Sequence, residues 1–163
     1  MGTLPQSLLW FLPFTVPIAI WVAWSDMKFM KIPNKAVIAL LLVYLLVGLF
    51  VFPLKLWLWG WALFAVILAI GFLATAAGLM GGGDAKFAAA MAPFFVTADP
   101  RTVLLLLASC ILAAVVSHRM LKRASAFRAV TPDWESWTHK DFPMGLALAG
   151  ALVFYPILAL LLP

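Results

Sequence analysis

Two short stretches of this sequence hold residues able to do chemistry. Residues 26–34 read DMKFMKIPN, and residues 81–86 read GGGDAK. Asp26 and Asp84 belong to a set of only six acidic residues in 163. A carboxylate costs ~2.5–3.5 kcal/mol at the centre of a membrane helix and less near the interface, so it calls for a function unless a simple structural role covers it. Each aspartate has such a role on offer. Asp84 could N-cap the helix that follows it, and Asp26 could lie in the headgroup layer and pair with Lys28 or Lys31.

The three glycines weigh against the simple role for Asp84. One glycine is enough for a turn, whereas three in a row cost conformational entropy and strip away every side chain that would keep another backbone at a distance. That suits a place where an extended peptide comes close to a carboxylate. It does not suit a phosphate cradle, which needs G-x-x-x-x-G-K-[ST]. Two carboxylates brought together cannot both ionise and so share one proton. The ionised member can take a proton from water while the protonated one polarises a peptide carbonyl. Other chemistries are poorly supplied. The single cysteine, Cys110, sits in an apolar run and reads as a small buried hydrophobe, with no disulfide open to it. His118 and His139 lie in the polar loop without metal-ligand spacing, and a surface or headgroup role is expected for both. A metal held by Asp26 and Asp84 alone would be under-coordinated. No metal and no cofactor is expected.

The elements that must position these residues are membrane helices. Hydrophobic residues make up 66% of the chain and charged ones only 10%, too little polar surface to cover a soluble core of this size. Several apolar runs match the ~30 Å hydrocarbon layer. The pattern predicts six helices, at about 7–24, 36–52, 56–79, 84–96, 101–117 and 143–162, forming one transmembrane domain over residues 1–163. The fourth is short for a crossing, and Pro93 would kink it. Asp99 and Pro100 make a good start for the fifth, as N-cap and first helical residue. The opening residues have no basic region and no small-residue cleavage site, and read as a retained first span.

Six crossings place both termini on one side and the loops at 25–35, 80–86 and 118–140 on the other. Those loops carry nine basic residues, namely Lys28, Lys31, Lys35, Lys86, Arg119, Lys122, Arg123, Arg128 and Lys140. The opposite side has Lys55 and Arg101. The asymmetry predicts cytoplasmic loops, outside termini, and both aspartates at the cytoplasmic face. It also accounts for the net charge of +5 without nucleic acid, whose binding calls for a basic stripe. The run HRMLKRASAFR at 118–128 reads as an amphipathic, headgroup-binding stretch that could also dock partners.

At these residues the sequence resembles the type IV prepilin peptidases, membrane aspartyl proteases with a G-x-G-D motif, and within them the short branch serving tight-adherence pili. Three stretches carry the likeness. DMKFMKIPN matches an aspartate, a basic spacer and Ile32-Pro33-Asn34. GGGDAK supplies Gly81, Gly83, Asp84 and Lys86. PMGLALAGA at 143–151 is similar to the family's P-[YF]-G-x-A opening of the last helix, with Met144 in place of an aromatic. The resemblance implies that Asp26 and Asp84 are the catalytic pair, supported by Gly81, Gly83, Lys86, Ile32, Pro33 and Asn34. It implies a prepilin substrate with a short basic leader, cut at the cytoplasmic face of a bacterial inner membrane, with lipids and pilus assembly machinery as partners. Longer relatives also methylate the new amino terminus and carry a cysteine-rich insertion near the first helix. Here about eleven residues join the first two spans, so methyl transfer is not expected. On the residues alone, Lys86 could hold a carboxylate ionised or bind headgroups, and Asn34 could cap the second helix.

A non-enzymatic reading also fits two membrane aspartates: a small transporter or assembly subunit that binds a proton or cation, with the glycines as hinge. Transport sites usually lie near the midplane, whereas these aspartates fall at one edge.

Overall fold

The computed structural model describes residues 4–161. Eight α-helices follow in chain order among the described residues: α1 (Leu4–Leu8), α2 (Leu12–Phe29), α3 (Asn34–Val51), α4 (Leu54–Ala76), α5 (Gly82–Met91), α6 (Pro100–Arg123), α7 (Ser125–Val130) and α8 (Met144–Leu161). No strand occurs among the described residues. Five segments are long and apolar enough to cross a membrane: Gln6–Phe29, which runs through α1 and α2, together with α3, α4, α6 and α8.

The short helix α5 lies among the long ones. It packs against α4, α3 and α8, while α8 also lies against α2 and α6. Small residues permit these contacts. A Cβ on Gly71 of α4 would stand 2.9 Å from the Cβ of Ala85 on α5, closer than two carbons approach. Away from the two sequence motifs, Phe11, Tyr44 and Phe94 form a buried aromatic cluster, with ring centroids 4.9–6.4 Å apart. The Tyr44 hydroxyl donates to the Trp57 carbonyl at 3.0 Å, tying α3 to α4 where α4 makes few other contacts with it. Most of α4 faces outward, with Leu58, Trp59, Ile70, Phe72 and Leu73 exposed. Such a helix is stable where its surroundings are as apolar as its surface.

Several sequence expectations need correction. The first span continues to Phe29, so only Met30–Pro33 separate α2 from α3, not eleven residues. Met30 adopts the left-handed conformation at φ 49° and its N–H donates to the Asp26 carbonyl, ending the helix. The fourth helix begins at Gly82, ahead of the aspartate. At Ala92 it gives way to a 3-10 turn, Ala92–Phe95, that contains Pro93. At ten residues α5 is not of spanning length. Helix α6 runs six residues past Ser117. Asp99 does cap it, accepting from the Thr102 N–H at 3.1 Å, with Pro100 first in the helix.

His118 is neither at the surface nor among headgroups. It is buried at the end of α6, stacked on Trp137 at 5.4 Å with the Phe142 edge at 5.6 Å. Aromatic packing folds the whole 118–142 stretch. Phe127 of α7 meets Trp134 and Trp137, and the Trp137 indole N–H donates to the Thr131 carbonyl at 2.8 Å. Arg119, Lys122, Arg123 and Arg128 remain exposed.

Candidate active site

Asp26 occupies the last turn of α2 and is only 5% exposed. The turn after it is held by the Ser25 hydroxyl, which donates to the Lys31 carbonyl at 2.9 Å. Neither lysine that could have paired with Asp26 does so. Lys28 instead forms an ion pair with Asp133 at 2.9 Å, tethering the polar loop to the end of α2. Asp26 is met by a residue 119 positions away: the Gly145 N–H, in the first turn of α8, donates to its Oδ2 at 2.6 Å.

Asp84 lies in the first turn of α5, whose N-cap is Gly81 with no side-chain capping bond. The capping role therefore does not describe it. Gly82 and Gly83 are helical, and among the described glycines only Gly78 has a positive φ, at +72°. The glycines of GGGD act through space instead of through backbone freedom. A Cβ on Gly81 would stand 2.8 Å from Asp84 Oδ2, so the bare glycine lets the carboxylate fold back over it. A Cβ on Gly83 would stand 3.4 Å from Ile32 Cβ and 3.5 Å from the Ile32 amide nitrogen. The peptide brought close to Gly83 is thus the chain's own Ile-Pro-Asn segment. Ile32 is buried there, and Pro33 is the N-cap of α3 in extended backbone.

Asn34 and Lys86 also differ from expectation. Asn34 is the first residue of α3 and makes no capping bond; its side-chain oxygen accepts from Lys86 Nζ at 3.4 Å. Lys86 thus bridges the two motifs and does not sit against a carboxylate.

Asp26 and Asp84, 58 residues apart in sequence, line one cavity of about 700 Å³. Met30 closes it from the end of α2, and Gly78–Gly81 from the turn before α5. His139–Phe142 and Met144 close it from the segment leading into α8. The charge of Asp26 bears on Asp84. Asp84, outside the five long spans, has its pKa pushed up to about 6, by burial first and by the charge of Asp26 second. When one of two carboxyl groups lining a cavity is protonated and the other ionised, one can donate a proton and the other accept one, as acid–base hydrolysis requires. Cys110 and His118 do not line this cavity. Cys110 is buried between α6 and α8 beside Gly150, and His118 is enclosed by rings.

Sequence reasoning missed Gly145 and Gly71. PMGLALAGA was legible as a helix opening, but nothing in it points to Asp26. His139, Lys140 and Asp141 were read only as loop residues, yet they line the cavity.

A helical membrane protein with two carboxylates in a cavity at one end of its bundle has the makings of an aspartyl-type peptidase. The sequence model of the type IV leader peptidase family matches residues 14–118, nearly two thirds of the chain, and this protein belongs to that family. Both aspartates and both motifs lie within the match, whereas Gly145 and α8 lie beyond it. No curated protein and no solved structure matches the chain. Family membership favours a membrane peptidase of the leader-peptidase kind over the transporter reading.

Proposed function

We propose that this protein is an aspartyl endopeptidase that removes the short basic leader of type IV prepilins, of the tight-adherence kind, using Asp26 and Asp84 as its catalytic pair. The observation that carries the reading is that both carboxylates face a single cavity at one end of the bundle. The scissile peptide enters that cavity, the ionised carboxylate takes a proton from the attacking water, and the protonated one donates to the carbonyl oxygen as the tetrahedral centre forms. The proton then passes to the leaving amine, and the shared proton is restored. Gly81, Gly83 and Ile32–Asn34 hold the two aspartate-bearing segments against each other, and Lys86 joins them through Asn34.

The cavity faces the cytoplasm of an inner membrane and both termini lie outside, on the strength of the nine-to-two distribution of basic residues. In this arrangement the segment after Asp84, through Phe87 and Pro93 to Val96, returns the chain to the outer face within the bundle. Residues 1–163 act as one domain. Cleavage proceeds without methyl transfer, because four residues between α2 and α3 leave no room for the cysteine-rich insertion of longer relatives. Partners beyond the substrate are lipids and the pilus assembly machinery.

Co-expression with candidate pilin precursors tests the proposal, read as a leader-sized loss of mass. Asp26→Asn and Asp84→Asn should each insert and fold yet leave the precursor intact. Full processing by either variant refutes the pair.

A further inference from the structure

The catalytic reading requires the two carboxylates to differ, and the site treats them differently. Asp26 is almost fully enclosed and accepts a backbone N–H at 2.6 Å. The donor is an N–H in the first turn of α8, one of the amides that a helix leaves unpaired within itself. Among the described residues no hydrogen bond reaches the carboxylate of Asp84. The contact at Gly145 is also as close as chemistry allows. A Cβ there would stand 2.9 Å from Asp26 Cβ, 2.9 Å from Oδ2 and 3.0 Å from Cγ. Of these, Asp26 Cβ is fixed by the backbone and cannot rotate away.

We infer that Gly145 is a positioning residue: its bare backbone N–H at the start of α8 fixes the Asp26 carboxylate and makes Asp26 the general base, leaving Asp84 as the general acid. The inference rests on the proposed peptidase chemistry and adds the division of labour within it. No other group facing Asp26 supplies an equivalent interaction. Helix α8 contains no charged residue. From α5, Asp84 offers only repulsion, and Lys86 is turned to Asn34. On its own helix, Lys28 is committed to Asp133. Lys31, Lys35 and Glu135, on adjoining elements, are exposed. His139, Lys140 and Asp141 line the shared cavity but are exposed, and His139 and Asp141 face each other at 3.8 Å.

The test uses the full chain in lipid nanodiscs and has two readouts. The first needs no substrate. With carboxyl-labelled aspartate in an Asp84→Asn background, the Asp26 resonance is assigned by its loss in Asp26→Asn and titrated. Replacing Gly145 by glycolic acid turns its N–H into an ester oxygen and adds no bulk. The Asp26 midpoint should then rise by about one pH unit, as expected for loss of a hydrogen bond to a charged group. The second readout is cleavage by Gly145→Ala of whichever precursor the co-expression identifies. kcat should fall by about tenfold or more with KM within about twofold, and the acid limb of the pH profile should move to higher pH. Gly150→Ala on the same helix, where a Cβ would stand 3.5 Å from Cys110 Sγ, should behave as wild type. An unchanged midpoint in the ester variant overturns the inference, as does an unchanged profile in a folded Gly145→Ala. If Gly145→Ala does not fold, the ester titration decides alone. Failure of the peptidase reading would appear separately, as cleavage surviving Asp26→Asn, because the titration does not depend on cleavage.

Discussion

Gly71→Ala places one methyl group between α4 and α5, outside both aspartate motifs. Its Cβ would stand 2.9 Å from Ala85 Cβ and 3.3 Å from Ala85 Cα. Carbon atoms rest at ~3.5–4.0 Å, so the helices must part by roughly 0.6–1.1 Å. Neither Ala85 atom can rotate out of the way, and Ala85 follows Asp84 directly, so the strain falls on the first turn of α5. Overpacking of this kind costs about 1–3 kcal/mol of stability. Displacing a catalytic group by about 1 Å costs on the order of 100-fold in rate. We expect Gly71→Ala to remain folded and to lose about 10- to 100-fold in kcat, measured by single-turnover cleavage of the cognate precursor in nanodiscs. Gly82→Ala is the matched control. It sits two residues before Asp84, but its Cβ would be 3.7 Å from Thr75 Cγ2, an ordinary contact, and the added methyl favours helix. It should cleave as wild type. A wild-type rate in Gly71→Ala, or equal damage in Gly82→Ala, would refute the claim that close packing of α4 on α5 sets the position of Asp84.

Asp84, with its pKa raised to about 6 by burial and by Asp26, must be protonated to act as acid. The alkaline limb of kcat/KM should therefore fall with a midpoint of about 6, reporting the coupled pair; a rate that climbs steadily above pH 8 would contradict this. The same shift links to folding. From an ordinary value of 3.8, the stabilising contribution of the bound proton is complete below 3.8 and is lost as pH rises through about 6, a trend that thermal unfolding across that window should show. Gly60→Ala would drive a methyl group into the Tyr44 hydroxyl and break its bond to the Trp57 carbonyl. A loss of about 1–3 kcal/mol is expected, read from the tryptophan fluorescence melt in detergent. Removing the Lys28–Asp133 pair, whose carboxylate is exposed, with Asp133→Asn should change the cleavage rate by no more than about twofold, since solvent and salt screen such pairs.

The sequence by itself determined the solvent and the family. Apolar runs of spanning length can only be helices in lipid, because every backbone group must be satisfied within its own segment. The G-x-G-D and I-P-N spacings pointed to a leader-peptidase family, which the family match bears out. The Asp99–Pro100 helix start was legible for the same reason: capping is a local matter of adjacent residues. What the tertiary structure alone decided is nonlocal. Helices α2 and α6 run on past Asp26 and His118 to Phe29 and Arg123, because segments distant in sequence bury those two polar side chains and polarity does not mark the helix end. His118 looked like a surface histidine because the rings that bury it come from residues 137 and 142. Lys86 found Asn34, and Asp26 found the amide of Gly145, through folding that brings distant segments within hydrogen-bond reach. A glycine's meaning depends on which atom would meet its missing Cβ, and that atom belongs to another helix. One-dimensional spacing cannot encode that approach; packing in three dimensions supplies it.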